Sequence, residues 1–261
     1  MKKLTLGLVI LAMVAAVSVQ AATKIYWNGS VDNLYTNGVN WNGGAVPANT
    51  DYTDQAVFQN SSLSGVMSKT CTLTSSLKIN AILFYDAGFS INGSEYTTKY
   101  FSSTGSGTNT IYRLKSVSGT AWTIGTGNTL IVSQLYQDGQ GVKLTFKGGG
   151  TIFFNTYIKG WGDINYQQID DVTMIVNANK VYDDGNNNYI TKLNLESSEL
   201  QLKTTVSAAE ALITASKITK GTTVADKDFY VTDLGPDYLG GGYVSISYTP
   251  PTVTGTVLIV K

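Results

Sequence analysis

The sequence predicts an all-β solenoid, a chain coiled into stacked turns of short strands, and three observations carry that expectation. The first is an internal repeat within Thr120–Phe154. Thr123-Ile124-Gly125-Thr126-Gly127-Asn128-Thr129-Leu130 aligns with Thr145-Phe146-Lys147-Gly148-Gly149-Gly150-Thr151-Ile152, 22 residues on. One coil cannot bury its own apolar face, so a repeat of this length implies coils that stack. The second observation is one-sided alternation: Val142, Leu144 and Phe146 point one way, Lys143, Thr145 and Lys147 the other. Leu130 with Val132, and Ile152 with Phe154, repeat that half-buried strand pattern. The third is the glycine-rich corner that joins the two strands of each copy. A β-sandwich is the alternative arrangement. Nothing in the sequence identifies a reaction or a ligand.

The elements follow in order. Residues 1–21 read as a signal peptide, with Met1-Lys2-Lys3 as positive n-region, an apolar run from Leu4 to Val17 and cleavage expected after Ala21. That run is short for a membrane anchor, which needs roughly 20 apolar residues. Residues 22–261 then form one domain. Lys24–Gly29 is a short strand entering a turn, and a loop rich in Asn and Gly follows. Trp27 and Trp41 are expected to cap the open first coil, in a cap spanning about 22–58, because a solenoid end exposes apolar surface. Pro47 cannot donate to a ladder and falls in a loop or at an edge. Period-two runs recur from Lys69 onward, and Asn92-Gly93 signals a tight turn between strands. Ser102–Gly107 reads as a flexible loop too short to divide domains. A partial echo of the repeat appears at Thr173-Met174, and Gly160-Trp161-Gly162 reads as a loop. Ser207 with Glu210 forms a capping box, the one clear helix signal. Closing strands are expected over about 229–261, ending in Thr256–Val260.

Composition removes several function classes. Without Lys2 and Lys3 the chain has 16 basic against 18 acidic groups, and Arg113 is the sole arginine. With no basic cluster in sequence, nucleic-acid binding is not expected. A single cysteine, Cys71, excludes an intramolecular disulfide and reads as a small buried filler. Histidine is absent, which removes imidazole-assisted nucleophiles and imidazole metal sites. No phosphate-binding or dinucleotide fingerprint occurs.

What remains is a short set of candidates. Trp27, Trp41 and Trp161, with 16 Tyr in the chain, are the residues from which a sugar-stacking platform would be built. Asp184, Asn186 and Asn188 present alternating oxygens, so calcium is the one cofactor considered. Their glycine is misplaced for a known calcium loop and no Glu closes it, which makes an Asp-Gly turn the simpler reading. Carboxylate catalysis would have to draw on Glu95, Glu196, Glu199, Glu210, Asp170-Asp171 or Asp183-Asp184. Solvated turn residues account for these better, so no enzyme is expected.

The spacing of Trp27-Asn28-Gly29, Asn40-Trp41, Gly43-Gly44, Pro47 and Asp54 through Phe58 resembles secreted bacterial β-solenoid proteins with autotransporter-associated β-strand repeats. The strand pair at Leu77–Phe84 and Phe89–Ile91, and the closing run Gly221-Thr222, Asp228–Leu234 and Gly240-Gly241-Gly242, are similar to theirs. The resemblance implies a right-handed β-helix with irregular coils, exported and displayed outside a bacterial cell, and implies no catalytic residues. The chain departs from the group in having no room for a membrane barrel and in ending on a strand-like run. Surface retention is therefore expected to need self-association or a partner. The expectation is a secreted, non-enzymatic structural or adhesive protein with itself or an extracellular polysaccharide as partner. A carbohydrate-binding module is the alternative, and a polysaccharide-active enzyme using carboxylates the third reading.

Overall fold

The computed structural model describes residues 22–48, 52–63, 68–117, 121–137, 143–160, 166–177, 192–195, 199–220, 229–247 and 257–259. Among these residues nineteen strands build a β-solenoid of about six turns with an antiparallel closing sheet. They are β1 (Thr23–Trp27), β2 (Asp54–Phe58), β3 (Thr70–Leu73), β4 (Leu77–Phe84), β5 (Ser90–Gly93), β6 (Tyr96–Ser103), β7 (Gly107–Ser116), β8 (Ala121–Ile124), β9 (Asn128–Gln137) and β10 (Lys143–Lys147). The series continues with β11 (Thr151–Gly160), β12 (Tyr166–Asp170), β13 (Thr173–Val176), β14 (Lys192–Leu195), β15 (Glu199–Lys203), β16 (Ile218–Thr219), β17 (Tyr230–Asp233), β18 (Tyr243–Ser247) and β19 (Val257–Ile259). Among the described residues one α-helix, α1 (Val206–Thr214), lies between β15 and β16.

Pairing is parallel from β1 to β16, which excludes the sandwich alternative, and it resolves each full turn into three faces. The first face runs through β1, β2, residues 81–84 of β4, residues 100–103 of β6, then β8, β10, β12, β14 and β16. The second holds β3, β5, the first halves of β7, β9 and β11, then β13 and β15. The third is built from the first halves of β4 and β6 and the second halves of β7, β9 and β11.

The core follows from this register, because every inward position sits directly over its counterpart one turn away. On the first face Trp27, Phe58 and Phe84 are in line, and two residues over in register Ile82, Phe101, Trp122 and Phe146 form a second line whose rings adjoin the first. From Trp27 through Phe84 and on to Phe146, ring centroids lie 6.2, 5.1, 6.0, 5.4 and 5.7 Å apart. All six rings are buried. Aromatic pairs at such separations gain roughly 0.5–1.5 kcal/mol beyond burial. The second line turns aliphatic beyond Phe146, at Ile169 and Leu195. The second face stacks Cys71, Ile91, Ile111, Val132, Phe154, Val176 and Leu202. The third stacks Leu77, Tyr96, Leu114, Leu135 and Ile158.

The repeat is real in its second half and offset in its first. Thr129 pairs with Thr151, and Leu130 with Ile152, at the predicted 22-residue interval, and Thr173 and Met174 stand opposite Thr151 and Ile152 in turn. Thr123, however, pairs with Lys147 and not Thr145. The first copy has a corner two residues longer. A shift of two keeps each side chain on its own side, so Trp122, Ile124, Leu144 and Phe146 all stay inward. The corner demands glycine: a Cβ on Gly148, at φ +116°, would stand 2.6 Å from the Ile124 carbonyl oxygen. An adjacent corner buries polar groups and satisfies them. Asn109 donates to the Asp86 carbonyl and to Ser103 Oγ, and its Oδ1 accepts from Phe89 N–H. Asn128 donates to the Gly105 carbonyl and accepts from Ser103 Oγ.

The tight turn expected at Asn92-Gly93 is a solenoid corner between β5 and β6, with Gly93 at φ +89° and its strand paired with β3 and β7 one turn to either side. Two local expectations are corrected. The expected loop at Ser102–Gly107 shrinks to residues 104–106, since β6 and β7 claim its ends. The helix is capped by Thr205, whose hydroxyl accepts from Ala208 N–H, and not by Ser207. At the C-terminal end β18 runs antiparallel to β15, and β17 and β19 continue antiparallel, so the predicted closing strands reverse the chain direction. No helix of the described residues is long and apolar enough to cross a membrane.

Candidate functional site

Trp27 and Trp41, two of the three tryptophans considered for a ligand platform, serve the fold instead. Trp27 ends β1 and Trp41 lies on the loop that returns over it, their rings edge-to-face with centroids 5.0 Å apart. Tyr35 meets Trp41 at 5.0 Å and Tyr96 at 5.7 Å. Both indoles are fully donated, Trp27 Nε1 to the Ser68 carbonyl and Trp41 Nε1 to the Tyr35 carbonyl, each at 2.8 Å. Trp27 is 0% and Trp41 1% exposed, so neither has a face to offer a sugar. The ligand-binding assignment fails for these two because the open first coil needs them as its lid. Trp161, and the calcium candidates Asp184, Asn186 and Asn188, lie outside the described residues.

Asp32 holds the lid loop together. Its carboxylate accepts from Leu34 N–H, Asn37 Nδ2 and Asn40 Nδ2. These donors hold its pKa below the ordinary 3.8, with Asn37 the largest contribution. Asn40, fully buried, accepts from Val31 and Asp32 N–H on its Oδ1. Backbone bonds from Asn28 N–H to the Asn40 carbonyl and from Asn42 N–H to the Tyr26 carbonyl, both 2.8 Å, lay this loop along the outer edge of β1. On the second face Tyr35 N–H donates to the Thr72 carbonyl, and Thr72 N–H to the Asn33 carbonyl.

Beneath the lid, Cys71 behaves as the filler expected. It is fully buried, with its sulfur 4.0 Å from the Tyr96 hydroxyl, and burial pushes its thiol well above the ordinary range. Desolvation likewise raises Tyr35 and Tyr96. A thiol held neutral in this way is a poor nucleophile.

Among the described residues the candidate carboxylates sit on separate elements. Glu199 accepts from Gln201 Nε2 and Ser245 Oγ on the closing sheet. Glu95 precedes β6, Glu210 sits on α1, and Asp170 and Asp171 flank the corner between β12 and β13. Glu196 and Asp183-Asp184 lie outside the described residues. Among the described residues no group of three or more acidic, Cys or His side chains could hold a metal.

The outer surfaces differ by face. The second carries Thr108, Thr129, Thr151 and Thr173 in one column and Thr110, Ile131, Phe153 and Ile175 in the next. On the first, Lys147 stands opposite Asp170. The third gathers cations that the sequence keeps far apart. Lys78 stands opposite Thr97, then come Lys115, Tyr136 and Lys159 in register. A parallel column runs Arg113, Gln134, Tyr157. Arg113 Nε donates to Gln134 Oε1 at 2.7 Å, and its guanidinium lies 5.6 Å from the Tyr112 ring, which is 41% exposed. Lys78 is exposed, while Arg113, Lys115 and Tyr136 are half-buried. Glu95, one residue before Tyr96, falls level with Arg113, one residue before Leu114. Sequence reading missed this surface because the intervals between its columns vary from turn to turn, so no fixed period exposes it.

Compared with family models, with curated proteins and with solved structures, the chain matches none.

Proposed function

We propose that this chain is a secreted, non-enzymatic structural or adhesive protein of the bacterial cell exterior, as its resemblance to proteins with autotransporter-associated β-strand repeats implies. The observation that carries the reading is the uninterrupted core. The aromatic rows from Trp27 to Phe146 and the aliphatic row beyond them fill the coil with packing side chains, which is the construction of a rigid rod. Such a rod offers its outer faces and its ends, and the export signal at residues 1–21 directs it out of the cell. Self-association is favoured at the C-terminal end. There β19 pairs with β17 alone among the described residues, and an edge strand with free backbone groups recruits another strand. The N-terminal edge is disfavoured because residues 40–42 already cover part of β1.

Negative-stain electron microscopy and light scattering of residues 22–261 at several concentrations, with adhesion to cells and coated surfaces, test the reading. Concentration-dependent assemblies or adhesion are expected. Monomers that adhere to nothing would remove the role, and turnover of an acidic polysaccharide would replace it with an enzymatic one.

A further inference from the structure

We infer that the outer side of the first face, over its first four turns, is a tyrosine shelf that binds a flat, ribbon-like neutral polysaccharide of the cellulose or chitin type through Tyr26, Tyr85 and Tyr100. Alternation sends Ala56, Phe58, Ile82 and Phe84 into the core, so Val57, Ala81 and Leu83 point out of the coil. Val57 and Ala81 are nevertheless 0% and 1% exposed, and neither belongs to the interior cluster. Side chains on the outside therefore lie over them. Tyr26, Val57 and Leu83 share one outward column, and Lys24, Gln55, Ala81 and Tyr100 share the next. Lys24 Nζ donates to the Tyr85 hydroxyl at 2.9 Å, although Tyr85 lies two turns on and four strand positions along. Strand geometry makes that about 16 Å between backbones, so both side chains lie down along the sheet to meet. Val57 is midway between them, one turn from each, and their bridge passes over it.

A phenol laid along a sheet turns a ring face outward, where a sugar ring stacks, and keeps its hydroxyl at the rim to bond the sugar's own. The Lys24 ammonium is 5.4 Å from the Tyr85 ring centre but 2.9 Å from its hydroxyl, which places it off the hydroxyl end and not over the ring face. Tyr100 is 51% exposed. It has Ala81 beside it on one side and falls level with Ala121 on the other, one residue before the pair Phe101 and Trp122, so small side chains flank its ring. Tyr26 and Tyr85 are half-buried. The three stand on the first, third and fourth turns, strung along the axis over about 14 Å, which is the reach of a short run of sugars. One sheet carries all three rings, which suits a ribbon whose sugar rings share a plane better than a helical glucan. Through these four turns Lys24 is the one charged residue in the two columns, and it is already bonded to Tyr85, so the shelf calls for a neutral polymer and not an acidic one.

The inference deepens the adhesive reading and rests on it for where the polymer is met, though binding itself can be measured apart from it. Residues 22–261 are titrated by calorimetry with cellohexaose, with chitohexaose and, as the helical-glucan control, with maltohexaose. Cellohexaose or chitohexaose should bind with an affinity that salt leaves unchanged, and more tightly than maltohexaose. Tyr100→Ala should weaken binding about threefold to tenfold, whereas Tyr100→Phe, which keeps the ring, should stay within a factor of about two. Tyr112→Ala, at an exposed tyrosine outside the shelf, should leave binding unchanged. Tyr85→Ala, with its melting curve recorded, is the second variant and should weaken binding as Tyr100→Ala does. Equal binding by Tyr100→Ala, Tyr85→Ala and the parent overturns the proposal. So does failure of both flat hexasaccharides to bind, or tighter binding of maltohexaose. Sedimentation of the parent as a dimer that Tyr100→Ala dissolves would give the shelf to a second copy of this chain and overturn it too. Hexasaccharide binding without adhesion to cells would remove the adhesive role and leave the shelf; adhesion without hexasaccharide binding would do the reverse.

Discussion

The two ends of the solenoid are closed in different ways. At the N-terminal end a loop of polar residues folds back over β1 and drops Tyr35 and Trp41 onto the open coil beside Trp27, so closure is by insertion of large rings. At the C-terminal end the chain turns round: β18 runs against β15, Ile246 faces both Leu200 and Val231, and α1 packs alongside. One end depends on a plug with many polar supports. The other depends on backbone pairing and small aliphatic contacts, and among the described residues β19 pairs only with β17. A plug blocks further stacking, whereas a reversed sheet passes the edge outward. On the proposed reading, assembly uses the C-terminal end.

The largest expected effect breaks the plug. Trp41→Ala removes a buried indole from contact with Trp27, Tyr35 and Phe58, and should cost about 4 kcal/mol, or roughly 10 °C in melting temperature for a domain this size. Ile246→Ala, its counterpart at the other end, should cost about 3 kcal/mol. Thermal melting of both compares the closures directly, and a larger loss at Ile246 would make the C-terminal end the stronger one. The uncapped Trp41→Ala protein should also begin to associate through its exposed first turn, visible by light scattering.

A finer comparison sets Trp41 against Trp122, both buried in aromatic rows. Trp41 donates its indole N–H to Tyr35, while Trp122 Nε1 finds no acceptor among the described residues. Replacement by Phe therefore strands a carbonyl at position 41 but relieves an unmet donor at 122. Trp122→Phe should be less costly than Trp41→Phe by about 1–2 kcal/mol, read from chemical denaturation. Equal losses would mean that ring volume alone decides.

The lid should also respond to pH. The folded chain holds Asp32 below 3.8, so around that value the unfolded chain binds more protons. Its contribution is present above about pH 4 and is lost as pH falls through the folded value. Burial raises Cys71, Tyr35 and Tyr96 above their ordinary 9.0 and 10.0, so their contribution is present below those values and is lost as pH rises past them. Melting temperature should fall on both sides of neutrality, and Asp32→Asn should flatten the acid limb alone. Cys71 should resist thiol reagents at pH 8 until the lid unfolds, and rapid labelling of the folded protein would contradict its burial.

Much of this was legible in the sequence, for reasons of period. Alternation along a strand is local, so Leu144 and Phe146, or Ile152 and Phe154, declare their inward side without knowledge of the fold. Stacking is not local. The pairing of Thr123 with Lys147 instead of Thr145 depends on corner length, and alternation is blind to a shift of two. Asn92-Gly93 carries the same backbone requirement in a hairpin and in a coil corner, so the dipeptide could not tell which partner strand it served. The third-face columns combine residues from five turns of unequal length, and only the register joins them. The indoles at 27 and 41 were ambiguous because a cap and a platform call for the same side chain, and burial alone separates the two.

The smallest expected effect lies at α1, where the capping box misplaced the helix start by two residues. Thr205 is extended at φ −89° and ψ 157°, and its hydroxyl takes the Ala208 N–H at 3.2 Å. Ser207 already lies within the first turn, past the capping position that Thr205 fills. Thr205→Ala should therefore cost about 1 kcal/mol and Ser207→Ala close to nothing, since alanine is the better residue inside a helix. Because α1 packs on β16, β17 and β18, the loss should appear as faster amide exchange in the closing sheet while the N-terminal turns stay protected. Exchange that rises equally at both ends would mean that the solenoid opens as one unit, and the two closures would then be energetically joined through the shared aromatic and aliphatic rows.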